Sequence, residues 1–146
     1  MENPQTLAEE LYKHFPTPQL KSIKEYACCA FSLIWWLGIE CSDIDAIMLV
    51  SDLIKSGALD VDCTVYWAKC IKQLTGRDME SLEKVPITSL RKIKGRAIVR
   101  FMNGKIGHWV GVKNGKVVFN SLAYSECVAE GKPTEARIIE IKGVKS

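Results

Sequence analysis

A 146-residue chain with six cysteines and only two histidines has few ways to build a nucleophile and a base. Cys28 and Cys29 stand side by side near the start of an apolar helical stretch, behind the polar run Lys24-Glu25-Tyr26. Backbone N–H groups and the dipole at a helix N-terminus favour anions, so a thiol placed there ionises more readily. A thiolate is the nucleophile of cysteine hydrolases, with an imidazole as base and a third group to orient it. Cys28 is the candidate nucleophile, and Cys29 reads as a core residue. His108 follows Gly107 and opens the apolar run His108-Trp109-Val110-Gly111-Val112. A histidine alone on a strand is more often structural than catalytic; the thiol at Cys28 is what makes His108 the candidate base. His14, between Lys13 and Phe15, reads as a surface or capping histidine. Asp60 and Asp62 are rival carboxylates that read instead as a loop and helix-cap pair.

The other cysteines, Cys41, Cys63, Cys70 and Cys127, are scattered without a CxxC pair. Cys63 and Cys70 lie seven apart on a helical pattern and read as small core residues. The start, Met1-Glu2-Asn3-Pro4, is not a basic-then-apolar secretory signal. The expected setting is therefore reducing cytoplasm, with free thiols and no metal site. Hydrophobic residues at 47% and charged residues at 25% are ordinary globular usage and exclude a disordered chain. Twenty Lys+Arg against 17 Asp+Glu give a net charge of +3, too small and dispersed for a nucleic-acid partner. The only basic cluster, Leu90 to Arg96, reads as a solvated connector. The longest nearly apolar stretch, Tyr26 to Ile39, is 14 residues, whereas a membrane span needs about 20.

Those residues need a helix and a strand to carry them. Residues 1–146 read as one domain with a helical half and a strand half. Leu7, Leu11 and Phe15 mark a helix from Thr6 to Phe15, which Pro16 and Pro18 end in an extended connector. A second helix covers Tyr26 to Leu37. The third opens on Ser42-Asp43-Ile44-Asp45, a capping pattern, and stops at Gly57. A fourth spans Cys63 to Leu74. After Pro86 the period becomes alternating, with strands at Ala97–Met102, His108–Val112, Val117–Asn120 and Arg137–Ile141. Asn103-Gly104 and Asn114-Gly115 punctuate the first three as hairpin turns. Helices followed by an antiparallel sheet make an α+β domain, the helical half packed on the sheet.

At these residues the chain resembles the papain-like cysteine peptidases. Cys28-Cys29-Ala30-Phe31-Ser32 is similar to their nucleophile segment, Cys-Trp-Ala-Phe-Ser, and Gly107-His108-Trp109-Val110-Gly111-Val112 to their histidine strand. Phe119-Asn120-Ser121-Leu122 resembles their Asn-Ser-Trp segment. The compact length is closer to the bacterial peptidase domains that process bacteriocin leaders. The resemblance implies Cys28 as nucleophile, His108 as base and acid, and Asn120 as the residue orienting the imidazole. It implies no metal or cofactor, and a peptide or protein substrate as partner. The family's oxyanion-holding Gln, six residues before the nucleophile, is Ser22 here, and the nearest glutamine is Gln19. Leu122 stands where the family has an aromatic shielding the His–Asn bond.

Register decides whether His108 can meet Asn120. A two-residue Asn114-Gly115 turn pairs Lys113 with Lys116 and sets His108 opposite Ser121. A three-residue loop, Lys113 to Gly115, sets His108 opposite Asn120, Trp109 opposite Phe119 and Val110 opposite Val118, which are better cross-strand pairs. The three-residue loop is the expected one. The readings that remain are a cysteine hydrolase of peptide or isopeptide bonds, a cell-wall amidohydrolase, and a non-catalytic binding or inhibitory domain of the same fold.

Overall fold

In a computed structural model, which describes residues 1–144, helices come first and an antiparallel sheet follows, an α+β arrangement. The helical half holds α1 (Pro4–His14), α2 (Pro18–Tyr26), α3 (Cys28–Trp36), α4 (Asp43–Ser56) and α5 (Trp67–Thr75). The sheet half holds β1 (Met79–Pro86), β2 (Arg96–Asn103), β3 (Ile106–Lys113), β4 (Lys116–Phe119), a short α6 (Glu126–Glu130) and β5 (Lys132–Ile141). Among the described residues no helix is long and apolar enough to cross a membrane.

Capping chemistry explains most helix ends. Ser42 accepts the Asp45 N–H at 3.1 Å and starts α4, and Gly57, left-handed at φ 83°, ends it. The segment expected to be extended after Pro18 is instead α2. Thr17 caps it by accepting the Leu20 N–H at 3.2 Å, and Pro18 occupies the first helical position, where its missing N–H costs nothing. The helix expected from Cys63 starts only at Trp67. Cys63 takes a left-handed φ of 61°, and a Leu59–Val65 bridge closes that loop.

The strand order is β1-β5-β2-β3-β4, every neighbour antiparallel. One face of the sheet gives Ile98, Phe119 and Ile139 to a core with Phe31, Leu33 and Ile34 of α3 and Val50 and Leu53 of α4. The other gives Val99, Phe101, Val110 and Val112 to a second core, which Ile87, Ile93 and Cys127 cover.

The β3–β4 turn is the two-residue form, not the three-residue loop. Lys113 pairs with Lys116, and Asn114 and Gly115 are both left-handed, at φ 50° and 81°. Asparagine and glycine tolerate that geometry best, and its twist matches the flanking strands. The pairing then slips by one residue at a bulge, so that Phe119 faces Gly111, not the Val110 of an unslipped turn or the Trp109 of the three-residue loop.

Gly111 is where α3 meets the sheet. A β-carbon there would lie 2.4 Å from the Trp35 ring, so only glycine lets the indole settle on the strand. Trp35 also stacks on Phe119, with ring centroids 6.2 Å apart and planes 8° from parallel. Gly111→Ala should therefore destabilise the protein by roughly 1–3 kcal/mol, the usual cost of overpacking. A urea midpoint equal to wild type would show that this contact is not tight.

Candidate active site

The chain breaks for a single residue before Cys28. Ala27 ends α2 through its N–H to the Ile23 carbonyl and starts α3 by accepting the Phe31 N–H at 2.9 Å. No side chain caps α3, so its first N–H groups are available to a neighbour. Cys28 is that neighbour, 8% exposed and supported from behind by Ser32, whose hydroxyl donates to the Cys28 carbonyl at 2.8 Å. Burial pushes the Cys28 thiol above its ordinary value, against the N–H groups of Trp109, Cys29 and Cys28 itself, which favour the thiolate. Trp109 directly follows His108, so the sulfur sits one peptide unit from the imidazole's backbone. β4 pairs with β3 only as far as Gly111, short of this point. Cys29 is a core residue whose burial drives its thiol higher still.

His108 is 5% exposed, and its Nε2 lies 2.7 Å from Asn120 Oδ1. The contact forms although the register expected to secure it does not: Asn120 lies just beyond the end of β4 and reaches the ring from the loop. The same Oδ1 accepts the Leu122 N–H at 3.0 Å. An atom that accepts from a backbone N–H is the amide oxygen, so the Asn120 orientation is fixed. Nε2 must then carry the hydrogen, and Nδ1 keeps its lone pair. Burial lowers the His108 pKa below 6.5, partly offset by the Asn120 hydrogen bond. Burial thus favours the uncharged form of both thiol and imidazole.

The loop bearing Asn120 is held by the start of α1. Gln5 and Thr6 donate their backbone N–H groups, which have no partner within the helix, to the Ser121 carbonyl at 2.9 and 3.3 Å. Asn3 Nδ2 donates to the Asn120 carbonyl at 3.0 Å, and the Ala123 N–H reaches the Thr6 hydroxyl at 2.9 Å. The buried Gln5 side chain does the most: its Oε1 accepts from the Ser121 hydroxyl, and its Nε2 donates to the Lys24 carbonyl, both at 2.7 Å. One amide therefore ties the Asn120 loop to the last turn before Cys28. Sequence reasoning missed Gln5 because its partners are 19 and 116 residues away; Pro4, a helix-start residue, was the available signal.

Gln19, expected as an oxyanion donor, is engaged elsewhere. Its Oε1 accepts from the Ser51 hydroxyl at 2.9 Å and its Nε2 faces the Ser51 carbonyl at 3.4 Å, on α4. His14 is exposed at the end of α1. Asp60 accepts from the Tyr66 hydroxyl at 2.7 Å, and Asp62 takes the Thr64 N–H at 3.0 Å. Two concavities of about 670 and 640 Å³ lie around Trp36 and Trp35, toward the opposite end of α3, and neither includes Cys28, His108 or Asn120.

Gln5→Ala should leave the Ser121 hydroxyl and the Lys24 carbonyl without their partner, at about 1–3 kcal/mol for each buried group left unsatisfied. The urea midpoint should fall, and the His108 ring signals in NMR should shift as Asn120 loosens. An unchanged imidazole spectrum would separate Gln5 from the site. Compared with protein families, with curated proteins and with solved structures, the chain finds no match in any of the three.

Proposed function

We infer that the chain is a papain-like cysteine hydrolase that cleaves a peptide or isopeptide bond by acylating Cys28. The observation that carries this reading is the His108–Asn120 hydrogen bond, which leaves the Nδ1 lone pair of a buried imidazole free, one residue before the Trp109 N–H that faces the Cys28 thiol. In the reaction, His108 Nδ1 takes the Cys28 proton as sulfur attacks the carbonyl carbon. The negative oxygen that develops is met by the Cys28 backbone N–H. The imidazolium then protonates the leaving amine, and water, deprotonated by the same nitrogen, releases the acid from the thioester. Asn120 holds the ring in one tautomer throughout.

A second reading, a binding domain with an unreactive thiol, is favoured by two observations. Burial raises the Cys28 thiol instead of ionising it, and the Gln19 amide is held by Ser51. The two readings part on whether His108 activates Cys28.

Acetylation by p-nitrophenyl acetate, with the modified cysteine identified by peptide mass, separates them. Cys28 should carry the acetyl group, and His108→Ala should slow its transfer by roughly 10²-fold, the low end of general-base effects. Acetylation of Cys28 at the same rate in His108→Ala would leave the binding domain as the function.

The pH profile follows from the environment of His108. A base whose pKa is lowered by burial stays neutral, and competent, further into acid. The acid limb should therefore reach half its plateau below pH 6.5. A limb at or above that value would mean that the buried imidazole is not the base.

A further inference from the structure

Behind the nucleophile lies a group of charges that the reaction above does not use. Glu135 on β5 is 6% exposed, and Lys84 Nζ, Arg100 Nη1 and Arg137 Nη2 approach its carboxylate at 3.4, 3.5 and 3.5 Å. These approaches are long. Glu135 Oε2 and the Nε atoms of Arg100 and Arg137 are buried without any hydrogen-bond partner. Three cations against one carboxylate leave two positive charges uncompensated, and buried donors without an acceptor are costly. A second anion, held by the exposed parts of the arginines, would balance the excess positive charge.

The two guanidinium groups are already braced for one. Arg100 and Arg137 both lie over the Trp109 ring, at 5.9 and 5.4 Å from its centroid, and Arg137 also lies 5.7 Å from that of Trp67. A β-carbon at Gly107 would come to 3.0 Å from Arg100 Nε, so the glycine before His108 makes room for that side chain. Both arginines remain open to solvent, with side chains 41% and 19% exposed. Trp109 joins this platform to the thiol: its ring carries the guanidinium groups while its backbone N–H faces Cys28.

We propose that Arg100 and Arg137, braced on Trp109 and Trp67, form a subsite for a carboxylate side chain of an acidic peptide bound beside Cys28. As a specificity site it rests on the hydrolase reading; as an anion site it needs no thiol. The guanidinium fork suits a carboxylate in a bidentate arrangement, and the solvent-exposed parts of the two side chains supply its donors.

The test is a titration of the ¹⁵N-labelled protein, in Cys28→Ala form so that nothing is turned over, with acetyl-Gly-Glu-Gly-amide and acetyl-Gly-Gln-Gly-amide. The Trp109 indole signal should shift saturably with the glutamate peptide and not with its glutamine twin. Arg100→Gln, a change at a half-exposed position, should weaken binding about tenfold, the loss of one charge-assisted hydrogen bond. Equal shifts from both peptides, or none, would overturn the subsite, and that comparison needs no arginine variant. A glutamate shift unaffected by Arg100→Gln would equally overturn it. The outcome is independent of acyl transfer. Selective binding without His108-dependent acetylation would retain the anion site and discard the hydrolase, whereas acetylation without selective binding would do the reverse.

Discussion

The seating of Trp35 on the bare backbone of Gly111 is the contact on which the rest of the structure depends. Cys28 and Trp35 are seven residues apart on α3, two helical turns along one face. Fixing the indole against β3 therefore fixes the height and rotation at which Cys28 meets the same strand. Phe119 adds the far wall by stacking on Trp35, and it faces Gly111 because of the bulge in β4. The bulge and the missing β-carbon act together. Without the slip, Phe119 would pair elsewhere; without the glycine, no indole could lie between the two.

Period-two alternation on β3 then sorts three groups by direction. The His108 side chain shares the face of Val110 and Val112, while the Trp109 ring points to the opposite face, with Arg100 and Arg137. The Trp109 N–H lies in the plane of the sheet and meets Cys28. A dipeptide thus presents an imidazole on one side, a cationic platform on the other and a hydrogen-bond donor between them. Gly107 is part of the same arrangement, since a β-carbon there would crowd the Met102 and Arg100 side chains at 2.9 and 3.0 Å.

Much of this was legible in the sequence where the determinants are local. Ser42 and Gly57 bound their helix as read, and Asn114-Gly115 made a tight turn. The His108–Asn120 contact formed as the resemblance implied. What was not legible depends on partners distant in the chain or on competing local choices. A proline such as Pro18 can end one helix or open the next, because the same fixed φ suits a helix start, and here the Thr17 cap decides. β1 escaped because its pattern, with Glu80, Glu83 and Lys84 exposed on an edge strand, lacks strict alternation. α6 is a five-residue helix, too short for a periodic signal. Turn chemistry, not aromatic cross-strand pairing, sets the β3–β4 register, and Phe119 finds its aromatic partner, Trp35, on a helix. Gln19 was the nearest glutamine along the chain, but Ser51 is its neighbour in space.

For the proposed hydrolase, a thiol and an imidazole whose uncharged forms are both favoured by burial alter what the site must supply during reaction. In a pre-ionised pair the proton has moved before substrate arrives, and the protein holds a buried charge pair permanently. Here burial of both groups disfavours that state. The proton would move only as the carbon–sulfur bond forms, when negative charge is leaving sulfur for the carbonyl oxygen. At that moment the imidazolium has Asn120 Oδ1 on one nitrogen, and the oxygen has the Cys28 N–H. These groups are held in place beforehand by α1 and by the uncapped start of α3, so they need no rearrangement to meet the charge. On the proposed hydrolase reading the site bears charge transiently rather than storing it, around a Cys28 thiol that is almost fully covered.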